Sequence, residues 1–197
     1  MPSRSDNTSK WKDLSQIDYF GLFIKNWLAF NSWYRGHHPN LESDRHCIEA
    51  IKNTQDARNS AYIIFNRLLT GTGKDAISFR DNLDGLATSL SRVTLTVPPR
   101  GTPTVPAYIG ALSFNNALID KSSTNYQNLI RTSGQHHKIS IGSIFVIDDS
   151  ETLYKGSLEL IYQIRCLLFH GDLEPSDENH QIVKYAYLVI NAIMENL

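Results

Sequence analysis

An all-α bundle of four to six helices, carrying a small irregular or β insertion around 95–150, is the fold class this sequence predicts. Three observations predict it. Apolar residues recur at helical spacing through about 11–36, 43–90 and 150–197. Between 95 and 150 that period fails, and Pro98, Pro99, Pro103 and Pro106 crowd the start of the gap. The chain has 197 residues, of which 41% are apolar, so one domain can bury a sizeable core and wholesale disorder is excluded.

Residues 1–10 are polar and aperiodic and read as a flexible tail. From Trp11 to Tyr34 the residues Leu14, Ile17, Leu22, Phe23, Trp27, Phe30 and Trp33 form an aromatic-rich helical stripe, ended by Gly36, two His and Pro39. A second helical stretch runs from Ser43 to Leu69 with a break near Asn53–Thr54, and Thr70-Gly71-Thr72-Gly73 stops it. A third helix is expected from Asp75 to Leu90, with Ile77, Phe79, Leu83, Leu86 and Leu90 facing inward.

Val97 to Tyr108 reads as an extended connector, followed by a short helix around Gly110–Ile119. Ile139 to Ile147 alternates as a short strand or hairpin does. Ser150 is the expected cap of a helix starting at Glu151 and closing at Phe169-His170-Gly171. Ser176 caps a last helix with Asp177 and Glu178 in its first turn. That helix has two apolar stripes, Ile182/Ala186/Val189/Ile193 and Val183/Tyr187/Ile190/Met194, which predict burial on more than one side.

Lys+Arg 19 against Asp+Glu 20 leaves a formal charge of -1, so nucleic-acid contact must come from a local patch. Cys47 and Cys166 lie far apart without a C-x-x-C partner, as in reduced thiols of a cytoplasmic protein. No apolar run reaches the roughly 18 residues of a membrane span. Met1 to Lys10 is not a signal peptide. Gly71-Thr72-Gly73-Lys74-Asp75 fails as a phosphate loop, because Leu68 stands where the first Gly belongs and Asp75 replaces Ser/Thr. His37-His38, His136-His137, Asp44, His46 and Cys47 form no recognised ligand set, so no metal and no cofactor is expected.

Chemistry concentrates in Arg165-Cys166-Leu167-Leu168-Phe169-His170-Gly171. Arg and His at this spacing, at an apolar helix end before a terminal amphipathic helix, resemble the R-x4–6-H signature of the HEPN superfamily. Arg131 and His136 repeat the spacing but flank a polar loop, Thr132-Ser133-Gly134-Gln135. A second resemblance lies in Trp27-Leu28-Ala29-Phe30-Asn31-Ser32-Trp33-Tyr34, which is similar to the aromatic F-N-x-W/Y patch on the opening helix of several prokaryotic HEPN families. Together the two cover about 11–36 and 150–197.

The resemblance implies a single HEPN-like domain over 1–197 acting as a metal-independent endoribonuclease, in a toxin or phage-defence role. An RNA 2′-OH would attack the adjacent phosphodiester, with His170 as general acid or base and Arg165 holding the phosphate. Asn31, a polar residue in an aromatic stripe, needs a partner and would either hydrogen-bond near the Arg165/His170 site or orient Arg165. Cys166 stands where active members often carry Asn, Asp or His. Asp172 stands where toxins controlled by nucleotide transfer carry Tyr. A non-catalytic HEPN dimerisation or RNA-binding module is the alternative.

Residues five apart on a helix point about 140° from each other, so the backbone must turn near Gly171 to bring His170 back toward Arg165. A helix C-terminus favours the imidazolium. One protomer offers one motif His, so a homodimer is expected, with Ile161 and Leu168 beside Arg165 as its seam. The expected partners are thus RNA, a second copy, and an antitoxin or defence-system protein, with no membrane.

Overall fold

The computed structural model describes residues 17–54, 59–98 and 110–197. The expected tail at 1–10 and most of the proline connector lie outside them. Helix α1 spans Tyr19–His37 and is capped by Asp18, whose carboxylate accepts from the Phe20 and Gly21 amides. Among the described residues the stripe is helical from Tyr19, because Asp18 is extended and takes the first free N–H groups. Trp11 and Leu14 lie outside the described residues.

The stretch expected over Ser43–Leu69 is two helices, α2 (Asp44–Asn53) and α3 (Ser60–Thr70). Asn59 makes the corner: its carboxamide donates to the Ile51 and Thr54 carbonyls and accepts from the Tyr62 amide. Helix α4 spans Lys74–Arg92 and buries Ala76, Phe79, Leu83, Leu86, Ala87 and Leu90. Ile77, expected inside, is 48% exposed. The stripe through Ala76 and Phe79 faces the core, and Ile77 sits about 100° from Ala76 around the axis.

The insertion is β structure. A single 3₁₀ turn, Phe114–Asn116, leads into β1 (Ala117–Asp120), and β2 (Asn125–Gln127) pairs antiparallel with it. The short helix expected around Gly110–Ile119 does not form. Ala117, Leu118 and Ile119 are all buried, and a strand covered on both faces accommodates consecutive buried residues. Strands β3 (Ile130–Arg131), β4 (Lys138–Ile141) and β5 (Ile144–Ile147) form an antiparallel sheet in the order β3-β5-β4. Its β4–β5 hairpin is the one expected at Ile139–Ile147. Asp84 of α4 pins the turn by accepting from the Ser143 amide and hydroxyl at 2.8 and 3.0 Å.

Helix α5 (Ser150–His170) is capped by Asp149 rather than Ser150. The carboxylate one residue earlier accepts from the Glu151 and Thr152 amides, which leaves Ser150 as the first helical residue. The helix is buried on nearly every side from Leu153 to Ile164. Strand β1 lies directly on it at Gly156, where a Cβ would come within 2.7 Å of Leu129 and 3.1 Å of Ala117 and Ile119. Gly171 ends the helix at φ 76, a left-handed position that glycine occupies without strain. The Asp172 amide reaches back to the Leu167 carbonyl at 2.9 Å.

Helix α6 (Asp177–Met194) is capped by Ser176 and packs on α1 and α4. It buries Ile182, Val183, Ala186, Val189, Ile190 and Ile193, while Tyr187 and Met194 are half-buried. Among the described residues the protein is therefore mostly helical, with six α-helices and two small antiparallel sheets. No helix among them is long and apolar enough to cross a membrane.

Candidate functional site

The last two turns of α5 carry Arg165, Cys166, Phe169 and His170. Arg165 points toward α1 and α2: its Nη2 donates to Asp44 Oδ2 at 3.0 Å, and its guanidinium lies 4.6 Å from the Phe169 ring centroid and 6.0 Å from that of Trp27. Nη1 meets the neighbouring Cys166 sulfur at 3.9 Å. Nε is buried without a hydrogen-bond partner among the described residues. A planar cation is thus fixed between two rings and one carboxylate, with hydrogen-bonding capacity to spare.

Asp44 is held from three directions. It opens α2 directly after the cap Ser43, and its Oδ1 accepts from Arg35 Nη2 at 2.7 Å and from Asn31 Nδ2 at 3.0 Å. Asn31 also donates to the Tyr34 hydroxyl. The expected link from Asn31 to Arg165 therefore runs through Asp44. Burial works to raise the Asp44 carboxyl, but the hydrogen bonds from Arg35 and Asn31 and the charge of Arg165 outweigh it, holding the group below the usual carboxylate range. Burial, and next the Asp44 charge, push the Tyr34 phenol upward.

Beneath this lies a second cluster that the sequence reading missed. Glu159 of α5 is fully buried, and it meets Arg45 Nη1 at 2.8 Å, Lys52 Nζ at 2.9 Å and Gln163 Nε2 at 2.6 Å. Burial disfavours its charged form, yet Lys52 and Arg45 prevail and keep the carboxyl below its ordinary range. Arg45 stacks 5.2 Å from the Tyr162 ring. Cys166 is half-buried and bonds to Tyr162, whose phenol is pushed up by burial and then by that thiol.

His170 is the last residue of α5; it is exposed, and its side chain makes no hydrogen bond, ion pair or ring contact with any described residue. The helix runs unbroken from Arg165 through His170, so the turn at Gly171 comes after both residues instead of between them. Within one chain their side chains leave the axis about 140° apart. Asp172 is exposed and contributes its amide to the helix end. Arg131, in β3, donates to the Asn128 and Ile130 carbonyls beside it. Ile161, expected on a dimer seam, is 1% exposed and belongs to the core, because α5 is enclosed at that turn. The apolar surface next to Arg165 is Phe169, 39% exposed.

Asp44 and Arg35 were the residues to find. The signal was there: Asn31, Tyr34 and Arg35 stand three and four apart on one face of α1, a polar edge needing an acceptor. The group that fills it comes from another helix, which spacing within α1 does not disclose. No family model matches this chain, and no curated protein and no solved structure is similar to it.

Proposed function

We propose that this protein is a metal-independent endoribonuclease whose cleaving centre combines Arg165 of one copy with His170 of a second. The observation that carries the reading is the division of labour at the end of α5. Arg165 is oriented by Asp44 and the Phe169 ring, while His170 stands exposed and unpartnered on the next turn. A fixed guanidinium suits a phosphate that gains charge in the transition state. An accessible imidazole suits proton transfer.

The two groups diverge within one chain, so a two-fold pairing would let each His170 meet the partner's arginine across the exposed Phe169 end. The RNA 2′-OH would lose its proton to one imidazole as its oxygen bonds to phosphorus. The P–O5′ bond would break as a second imidazole, or water, protonates the leaving oxygen. The products would be a 2′,3′-cyclic phosphate and a 5′-hydroxyl end. Cleavage of mixed RNA in EDTA, lost in both Arg165→Ala and His170→Ala, is the expected result. Equal activity in all three proteins would refute the assignment of the site.

A non-catalytic RNA-binding module is the second reading. One observation favours it: Asp44 already balances part of the Arg165 charge. Binding of RNA without cleavage by the wild type is the outcome that would select it.

A further inference from the structure

One aromatic ring at the end of α5 has no use inside the protein. Phe169 is 39% exposed, whereas Leu167 and Leu168 beside it turn into the core. No ring of a described residue packs against it, and its one ring contact is the Arg165 guanidinium, 4.6 Å from the centroid. Arg165 precedes it by four residues, the spacing that puts two side chains on one helix face. Around the axis Phe169 stands about 40° from Arg165 and His170 about 140°, in the same sense of rotation. The ring therefore lies between the two motif residues.

The cation beside the ring decides what can cover it. Arg165 gives one N–H of Nη2 to Asp44, and its Nη1 meets only the Cys166 sulfur at 3.9 Å. Asp44 divides its charge between Arg165 and Arg35. An apolar partner laid over Phe169 would desolvate this partly open guanidinium and answer none of its free donors. A strand of RNA supplies both needs, a phosphate for the guanidinium plane and, one nucleotide's reach away, a base for the ring. In the two-fold pairing proposed above, Phe169 lines the gap that such a strand would cross.

We propose that Phe169 stacks on a base of single-stranded RNA next to the phosphate held by Arg165, so that ring and guanidinium grip base and backbone together. The proposal rests on the RNA reading above and needs no cleavage to hold. Two labelled probes test it by anisotropy. One is a short single-stranded oligoribonucleotide of mixed sequence, 2′-O-methylated throughout so that its own hydroxyls cannot attack. The other is the same sugar–phosphate backbone without bases. The wild type should prefer the base-bearing probe. Phe169→Leu keeps an apolar, helix-favouring side chain but loses the π face, and should bind that probe about ten-fold more weakly. Its affinity for the abasic backbone, and its salt dependence, should match the wild type, because no phosphate contact is lost. Phe169→Tyr should bind both probes as the wild type does, and so should Ile77→Ala, at a 48% exposed apolar position on α4.

Unchanged affinity in Phe169→Leu would overturn the proposal, as would an equal loss on both probes or a wild type indifferent to the bases. Sedimentation of Phe169→Leu should match the wild type; a change in oligomeric state would assign the ring to a contact between copies and overturn it too. Cleavage of unmodified RNA separates the two claims. Base-dependent binding through Phe169 without any cleavage removes the nuclease and leaves this inference standing. Cleavage with a KM indifferent to Phe169→Leu does the reverse.

Discussion

Two charged clusters join α2 to α5, only two turns apart, and they are built to different ends. Around Glu159 the carboxylate and Lys52 are both fully enclosed, while Arg45 is 16% exposed and, like Arg165, keeps an unpaired Nε. Around Arg165 the side chains stay partly open, 18% exposed for Arg165 and 22% for Asp44, and the arginine keeps an unpaired Nε. A closed cluster whose charges answer one another stabilises a helix contact. An open one with surplus positive charge can exchange a protein carboxylate for a ligand phosphate. The comparison predicts that damage to the first is read in stability and damage to the second in activity.

The largest expected effect on stability is at Glu159. Glu159→Ala removes the enclosed carboxylate shared by Lys52 and Arg45 and leaves them Glu49 at 3.4 and 2.6 Å, so the loss should fall toward the lower end of the about 3–5 kcal/mol that breaking a buried pair costs. Urea unfolding should record that loss as a lower midpoint. A change below about 1 kcal/mol would show that water reaches the cluster and that the contrast with Arg165 is false.

Asp44 gives the opposite balance. Its ion pairs are partly solvated, so Asp44→Asn should cost only about 1 kcal/mol in stability. Activity should fall far more, because Arg165 loses the acceptor that orients it. The pH dependence has a definite sign. Both Asp44 and Glu159 have folded-state carboxyls below the usual range, so their contribution is fully present above the unfolded value near about 4. It is lost as pH falls through the lower folded values. Wild-type stability should therefore decline on acidification below about pH 4, and Asp44→Asn should flatten that decline. An identical acid limb in wild type and Asp44→Asn would deny the Asp44 interactions.

The smallest effect belongs to the other arginine at the same spacing. Among the described residues the Arg131 side chain bonds only the Asn128 and Ile130 carbonyls beside it, so Arg131→Ala should leave RNA cleavage unchanged and shift stability by no more than about 0.5 kcal/mol. Loss of cleavage on that substitution would move the site away from α5.

The same contrast explains what could be read in the sequence. Helices α4, α5 and α6, the hairpin at Ile139–Ile147, and Gly171 at a helix end were legible because local periodicity and turn chemistry determine them. The cap of α5 went to Asp149 instead of Ser150 through a choice between adjacent good acceptors. β1 was misread as a helix because its consecutive apolar residues are buried on two faces, which erases the period of two. Arg165, His170 and Asn31 could be singled out through their residue types and setting. The partners Asp44, Arg45 and Glu159 could not, because they meet only once α2 lies across α5.

The central claim is that Arg165 and His170 act from different copies of the chain. Mixing inactive Arg165→Ala with inactive His170→Ala protein tests it most directly. A mixed pair joins the intact His170 of one copy to the intact Arg165 of the other. The account predicts that the mixture regains RNA cleavage in EDTA, with 2′,3′-cyclic phosphate ends, while each variant alone stays silent. A mixture as inactive as its components, beside an active wild type, would contradict it.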